Sequence, residues 1–171
     1  MASLPVDIVV SVVKIIAAMA LSAGALYSGI SLFDRLTPGL DEWKEIKKGN
    51  SAVAVLLSSL MLSIIILASA RIGDLVFYIQ ADLPLLLSVK LLALMFINYL
   101  LGLLAAVTIA FITVNLIDRI TPDLEELAEL KKGNIAVAII LSVSLILVAL
   151  GASGPLEILF NLIKSLESVI L

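Results

Sequence analysis

The chain alternates between long apolar runs that contain no charged residue and short charged segments. Four such runs, each of at least 19 residues, cover residues 15–33, 49–70, 91–117 and 133–156. A helix needs about 20 residues to cross the ~30 Å hydrocarbon core of a bilayer. The pattern therefore predicts four transmembrane helices, at about 6–33, 50–70, 85–117 and 134–153. The first and third are long enough that they must tilt or project beyond the bilayer.

The second half of the chain repeats the first half at an offset of 84 residues, without a gap. Residues 34–58 and 118–142 are identical at 16 of 25 positions, including charged, proline, glycine and asparagine positions. Each repeat contains two predicted spans, so both repeats enter the membrane in the same direction. We therefore expect an all-α membrane protein with two repeats, 1–84 and 85–171. They should form two parallel-oriented, pseudo-symmetric helical hairpins, with short interfacial amphipathic helices.

The repeated pattern is D-R-x-T-P, then a short charged helix, then K-K-G-N-x-A-V-A at the start of an apolar span. It resembles the YjfL-like family of small bacterial and archaeal integral membrane proteins, which is filed as a domain of unknown function. The resemblance covers both repeats and implies tandem two-helix units in the membrane. It also implies a link to membrane stress, because some relatives are associated with such systems. It supplies no biochemical activity.

Composition agrees with a membrane protein and removes most kinds of chemistry. Hydrophobic residues make up 62% of the chain and charged residues 15%, against about 45–50% and about 25% in soluble domains. Cysteine and histidine are both absent, which excludes thiolate and imidazole metal sites and the common nucleophilic mechanisms. The net charge of −3 argues against nucleic acid as a partner. We expect no cofactor, no metal site and no enzymatic activity.

Basic residues are concentrated in two equivalent segments, 34–50 and 118–134, which we call the repeated loops. Seven of the 11 Lys and Arg residues lie there. The positive-inside rule places these loops in the cytoplasm and both termini outside the cell membrane.

Each repeated loop is predicted to contain a short interfacial helix. Threonine followed by proline suits the N-cap and first turn of a helix, here at Thr37-Pro38 and Thr121-Pro122. Apolar residues three apart then make one stripe that can sit in the headgroup boundary: Leu40, Trp43 and Ile46, and in the second repeat Leu124, Leu127 and Leu130.

The end of each short helix is marked by a Gly-Asn pair. Gly49 and Gly133 can adopt the left-handed conformation that ends a helix, and Asn50 and Asn134 can cap the following span. A ligand or ion contact at the cytoplasmic mouth is the alternative, but a tight break between helices is favoured.

Two charged pairs precede the short helices, Asp34-Arg35 and Asp118-Arg119. They could form a charged gate. The favoured interpretation is a pair at a helix end whose arginine binds phospholipid or the other repeat. In that case Asp34 with Arg119, and Asp118 with Arg35, would form a clasp.

Polar residues inside the spans point towards other helices. Lys14 and Asn98 occupy equivalent positions in the two repeats, and an intramembrane ionisable residue is a functional candidate. Each begins a stripe of mostly small residues at i, i+4 spacing: Lys14, Ala18, Ser22 and Leu26, and Asn98, Gly102, Ala106 and Ala110. Small residues allow membrane helices to approach closely. We expect Lys14 to contact Asn98 or Tyr99. A role of these residues in helix packing is favoured over a role in conduction or binding.

The segments on the opposite side from the repeated loops give weaker signals. Arg71 is expected in a connection between spans, which continues as a mixed segment over 73–87. Gly154-Pro155 predicts a break, after which apolar residues at helical spacing form an amphipathic C-terminal helix over 155–171.

The sequence supports two functional hypotheses. The leading one is a non-enzymatic structural or scaffold protein that self-associates or serves as a small subunit of a larger membrane assembly. It rests on the absence of catalytic residues, the lack of buried charge clusters and the apolar surface around the spans. The alternative is an ion or small-solute channel or transporter, with Lys14, Asn98 and Tyr99 as its polar residues. Membrane lipids are expected partners in both cases.

Overall fold

A computed structural model describes the backbone of residues 4–80, 84–121 and 125–170, and the side chains of these ranges up to residue 162. These residues form six α-helices and no strand: α1 (Leu4–Leu36), α2 (Glu42–Lys47), α3 (Ser51–Phe77), α4 (Leu85–Ile120), α5 (Glu126–Lys131) and α6 (Ile135–Ile170). Four of them, α1, α3, α4 and α6, are long and apolar enough to span a membrane. The chain is a multi-pass membrane protein, as the apolar runs predict.

Helix α3 lies at the centre of the bundle and packs against α1, α4 and α6. In the most apolar stretch of α3, 56% of the residues are buried, whereas the most apolar stretch of α1 contains no buried residue. Small residues make these contacts close: Ala52 and Ala68 of α3 and Ala25 of α1 are fully buried. At Gly29 a Cβ atom would lie 3.2 Å from the Cα of Met61, so the α1 and α3 backbones nearly touch there.

The two repeats are equivalent in sequence but pack differently. In a pseudo-two-fold bundle the contact between α3 and α4 should recur between α6 and α1. In the described residues α3 packs extensively on α4, while α1 and α6 make almost no contact. Instead α1 packs mainly against α3 and makes a smaller contact with α4. One face of α6 is consequently exposed, and its apolar residues Ile140, Leu147 and Leu150 are each more than half accessible.

Both helix ends opposite the repeated loops differ from the sequence prediction. Helix α3 continues to Phe77, so Arg71 belongs to a helix and not to a connecting loop. Helix α6 runs through Pro155 without the predicted break before a separate C-terminal helix. A proline removes one donor and crowds the preceding turn, but transmembrane helices tolerate it when neighbouring groups re-satisfy the backbone. The carbonyl that loses its donor to Pro155 is that of Gly151, an exposed residue on the surface of the bundle.

Candidate functional site

The Gly-Asn pair of each repeated loop ends a short helix and begins a long one. Gly49 has φ +87° and Gly133 has φ +80°. In the first loop the N–H of Gly49 donates to the carbonyl of Ile46 and that of Asn50 to Glu45, the paired bonds of a Schellman C-cap. The left-handed conformation predicted for both glycines is confirmed, and the break between helices is built from local chemistry.

Asn50 also joins the two repeats, which the sequence does not predict. Its side-chain oxygen accepts from the N–H of Val53 at 3.2 Å and so caps α3. Its Nδ2 donates to the Oε2 of Glu45 in its own loop at 3.3 Å, and also to the carbonyl of Leu130, in the other repeated loop, at 2.9 Å. The equivalent Asn134 caps α6 through Ala136 and Val137, but its Nδ2 donates to Glu129 of its own loop. The contact across the repeats is therefore made once.

The predicted N-cap role of the two threonines is wrong. Thr37 and Thr121 follow the ends of α1 and α4, and each hydroxyl donates back to the carbonyl four residues earlier, Phe33 or Ile117, at 2.8 Å. Helix α2 starts later and is capped by Asp41, whose Oδ1 accepts from the N–H of Lys44 at 2.9 Å. Pro38 is exposed in the intervening turn, and Pro122 lies outside the described residues.

The apolar stripe of the short helices faces the bundle more than the headgroup boundary. Leu40 and Leu130 are buried in the main core, and Ile46 and Leu127 pack against it. Trp43 is the exception, with 52% of its surface exposed. Leu124 lies outside the described residues. The short helices therefore close the loop end of the bundle, meaning the end that carries α2 and α5.

The charged pairs at the loop end do not form the predicted clasp. Asp34, Arg35, Asp118 and Arg119 are all exposed, and no ion pair joins one of these repeat positions to another. The ion pairs among the described residues of the loops are local ones, Lys48 with Glu45 at 2.6 Å and Lys132 with Glu129 at 2.7 Å. Pairs of this exposed kind contribute little to stability.

Asp34 instead approaches another acid, Glu42, which is only 5% exposed. Burial raises the pKa of the Glu42 carboxyl above its ordinary value of 4.5. A backbone hydrogen bond opposes this shift, and the hydrogen bond and charge of Asp34 add to it. Two carboxyl groups in hydrogen-bond contact need a proton between them, so this corner of the loop end favours protonated Glu42.

We predict that Glu42→Gln removes part of the pH dependence of stability. Because the folded state holds the Glu42 proton more tightly than the unfolded state, stability falls as pH rises from about 4.5 through the raised pKa. Glutamine keeps a donor to Asp34 without titrating, so the variant should be more stable than the parent at pH 7. Melting temperature in detergent from pH 4 to 8 measures this, with exposed Glu125→Gln as the control. A variant with the parental pH profile would contradict the prediction.

The intramembrane residues predicted to meet are only partly brought together. Asn98 and Tyr99 are 2% and 4% exposed, whereas Lys14 is half-buried. No hydrogen bond or ion pair joins Lys14 to Asn98 or Tyr99. The Tyr99 hydroxyl donates to the carbonyl of Leu21 at 2.8 Å, about 10 Å along α1 from Lys14 at 1.5 Å per residue. Helices α1 and α4 therefore meet closer to the loops than the duplication predicts.

The stripe of small residues on α4 is a packed seam, as predicted. Asn98, Gly102, Ala106 and Ala110 are all buried. A Cβ at Gly102 would overlap the Cγ of Arg71, and it would lie 3.4 Å from the Cβ and Cδ of that side chain. The equivalent stripe on α1 is only half-buried. The absence of a side chain at 102 is therefore what accommodates Arg71.

Arg71 is the principal polar residue that sequence analysis misplaced. It is 3% exposed, and its Nη1 lies 2.9 Å from the Oδ2 of Asp74. Its Cζ lies 4.8 Å from the ring centroid of Phe160 on α6, within the range of a cation–π interaction. The expected position of Arg71 in a connecting loop is thus wrong, because the residue lies inside α3 and is buried. A signal was available, because Arg71 falls in the helical register of Leu67 and Leu75.

Both repeats also match a known family model. The Domain of Unknown Function (DUF350) matches residues 7–98 and again residues 90–163. The chain belongs to the DUF350 family. The two tandem matches agree with the internal duplication and with the resemblance drawn from its loop motifs. No curated protein and no solved structure matches the chain. The DUF350 assignment brings no activity, so the function has to be argued from the geometry.

Proposed function

We propose that this protein is a non-enzymatic membrane scaffold that self-associates through the exposed face of α6, or serves as a small subunit of a larger membrane assembly. The observation that supports this most is the broken symmetry of the bundle. Helix α3 has neighbours on several sides, but its duplicate α6 lacks the contact with α1 that corresponds to α3 with α4. A helix from a second copy can occupy the vacant side.

The composition of that face supports helix docking. Gly151 and Gly154 are exposed, and a Cβ atom at either position would meet nothing within 4 Å. Glycine in a helix costs about 1 kcal/mol relative to alanine, and nothing in the chain's own packing requires it at these positions. In membranes small residues allow two helices to approach closely, which is the main source of their association.

A buried arginine is the observation that favours the alternative, an ion or small-solute channel or transporter, since intramembrane charges often mark transport pathways. Its nearest charge, however, is Asp74 of the same helix. Towards the loops the bundle is filled by apolar residues such as Leu60 and Ile64, which are at most 1% exposed. Flux through liposomes that is abolished by Arg71→Gln would favour the alternative over the scaffold.

We further propose that the loop end faces the cytoplasm and that both termini lie outside the cell membrane. The seven basic residues at the loop end support this orientation under the positive-inside rule.

Self-association is tested with Gly151→Leu. A side chain there should hold a docking helix away and weaken association about tenfold or more, the equivalent of ~1.4 kcal/mol or more. The chain has no cysteine, so one cysteine at exposed Lys47 gives a unique dye site. Energy transfer between labelled copies in liposomes, over a range of protein-to-lipid ratios, reports association.

The control for this test is Leu104→Ile on α4, a lipid-exposed position. It should leave energy transfer unchanged. The melting temperature of Gly151→Leu should equal or exceed that of the parent, because leucine is the better helix former. Parental energy transfer in Gly151→Leu, or none in the parent, would count against the proposal.

A further inference from the structure

Beside Arg71 a cavity of about 290 Å³ lies between α3 and α6. Its walls are of two kinds. Ile66 and Leu156 contribute apolar surface, and Ser69, Ser153 and Glu157 contribute polar groups along with Arg71. Ser69 and Glu157 are exposed, so the cavity opens on the outside of the bundle. All of its walls belong to one chain, so binding in it does not require the self-association proposed above.

Arg71 is buried beside this cavity, and its guanidinium has N–H groups that are not used in hydrogen bonds. A guanidinium has five N–H groups. The ion pair with Asp74 engages Nη1 at 2.9 Å, yet Nη1 is buried and makes no hydrogen bond. Arg71 donates no hydrogen bond to any of the described residues. A buried guanidinium in this state favours an acceptor from outside the chain, and a phosphate matches its fork geometry.

The depth of Arg71 indicates where such a phosphate comes from. Arg71 lies 20 residues beyond Ser51 at the loop end of α3, which is about 30 Å at 1.5 Å per residue. That length equals the ~30 Å thickness of the hydrocarbon core. With Ser51 placed at the loop-side boundary of the hydrocarbon core, the guanidinium reaches the level of the lipid phosphates on the other side, and Ile66 lies about 7 Å deeper along the helix, at the level of acyl chains.

Glu157 adds a second requirement. It lines the same cavity as Arg71 but from α6, and it forms no ion pair with another of the described side chains. A ligand that fills the cavity thus meets a cation and an anion from opposite walls. A headgroup that carries both a phosphate and an ammonium group complements this arrangement better than a headgroup with a phosphate alone.

We propose that the cavity binds the headgroup of a zwitterionic aminophospholipid, with its phosphate against Arg71 and its ammonium group towards Glu157. The seryl hydroxyls of Ser69 and Ser153 already donate to backbone carbonyls of their own helices, and their oxygens remain available as acceptors for the ammonium protons. One acyl chain then follows the apolar wall towards the middle of the bilayer.

The test uses the full chain, delipidated in a neutral detergent. Native mass spectrometry and melting temperature are recorded with phosphatidylethanolamine, phosphatidylglycerol or diacylglycerol. We expect one tightly bound phosphatidylethanolamine, weaker binding of phosphatidylglycerol and no specific binding of diacylglycerol. Arg71→Gln should weaken the binding of both phospholipids at least tenfold. Equal binding of diacylglycerol, or unchanged phospholipid binding by Arg71→Gln, would overturn the proposal.

Exposed Glu157 supplies a variant that does not threaten the fold. Glu157→Gln should remove the preference for phosphatidylethanolamine over phosphatidylglycerol and leave the binding of phosphatidylglycerol unchanged, and a retained preference would refute the ammonium assignment. Inorganic phosphate and soluble glycerophosphoethanolamine distinguish a lipid from a free anion. Neither should raise the melting temperature. If either stabilises the chain as much as the lipid does, the site serves a soluble phosphate and the lipid assignment is wrong.

Discussion

Gly102→Leu is expected to destabilise the fold by about 3 kcal/mol or more, at or beyond the top of the range for overpacked cores. The first atom of any side chain at position 102 overlaps the Cγ of Arg71. That atom lies near the arginine backbone, so it cannot move aside as a side-chain tip could. Moving Arg71 would disturb its ion pair with Asp74 and its contact with Phe160. Equilibrium unfolding in a denaturing detergent measures the change.

Two controls sharpen this prediction. Leu104→Ile on the lipid-exposed face of α4 should leave the free energy of unfolding nearly unchanged. Ala18→Leu occupies the equivalent position in the first repeat, where the duplication alone predicts an equal loss. Ala18 is only half-buried and packs against a small cluster that includes Met95 and Tyr99, so we expect a loss of about 1 kcal/mol. Equal losses at 18 and 102 would show that the two repeats pack alike, contrary to the structure.

Asn50→Ala is expected to cost about 2–3 kcal/mol. Losing the cap on α3 accounts for about 1 kcal/mol. The rest comes from the carbonyl of buried Leu130, which loses its hydrogen bond from Nδ2, because an unsatisfied buried acceptor costs about 1–3 kcal/mol. The same unfolding measurement applies.

The second repeat provides the matched control for Asn50. Asn134→Ala removes a cap but no bond to the other repeat, so its cost should stay near 1 kcal/mol. Asn50→Asp separates the two roles, since a carboxylate can accept from Val53 but cannot donate to Leu130. Its loss of stability should therefore be the larger part of the loss caused by Asn50→Ala. Equal costs for Asn50→Ala and Asn134→Ala would mean that the contact between repeats contributes nothing.

Features set by neighbouring residues could be predicted from the sequence. The length of apolar runs determined the four spans, and the Gly-Asn chemistry determined the breaks at Gly49 and Gly133. The threonine prediction failed although it is also local. A threonine after an apolar helix can cap the next helix or bond back to its own, and the hydroxyls of Thr37 and Thr121 bond back. Spacing alone does not distinguish these two uses.

Features that depend on how the repeats diverge could not be predicted. The length of an uncharged run predicts that a span ends at the first charge, which puts Arg71 in a loop. Its burial depends on the missing side chain of Gly102 and on Phe160, residues far away in the sequence. The expected contact of Lys14 with Asn98 assumed equal packing of the repeats. It failed because α1 approaches α4 at Leu21, and nothing in a duplicated pattern indicates which copy shifts.

Two hydrogen bonds between described residues join the repeats, and their donors and acceptors differ in kind. Asn50 and Tyr99 each donate from a side chain, but Leu130 and Leu21 each accept through a backbone carbonyl. Any residue that keeps the helix can supply such a carbonyl. A substitution at 130 or 21 that keeps the helix therefore leaves these bonds intact, whereas a substitution at 50 or 99 that removes the donor breaks them. The accepting half can thus differ from the other in side chain at these positions, and the bonds between the halves remain.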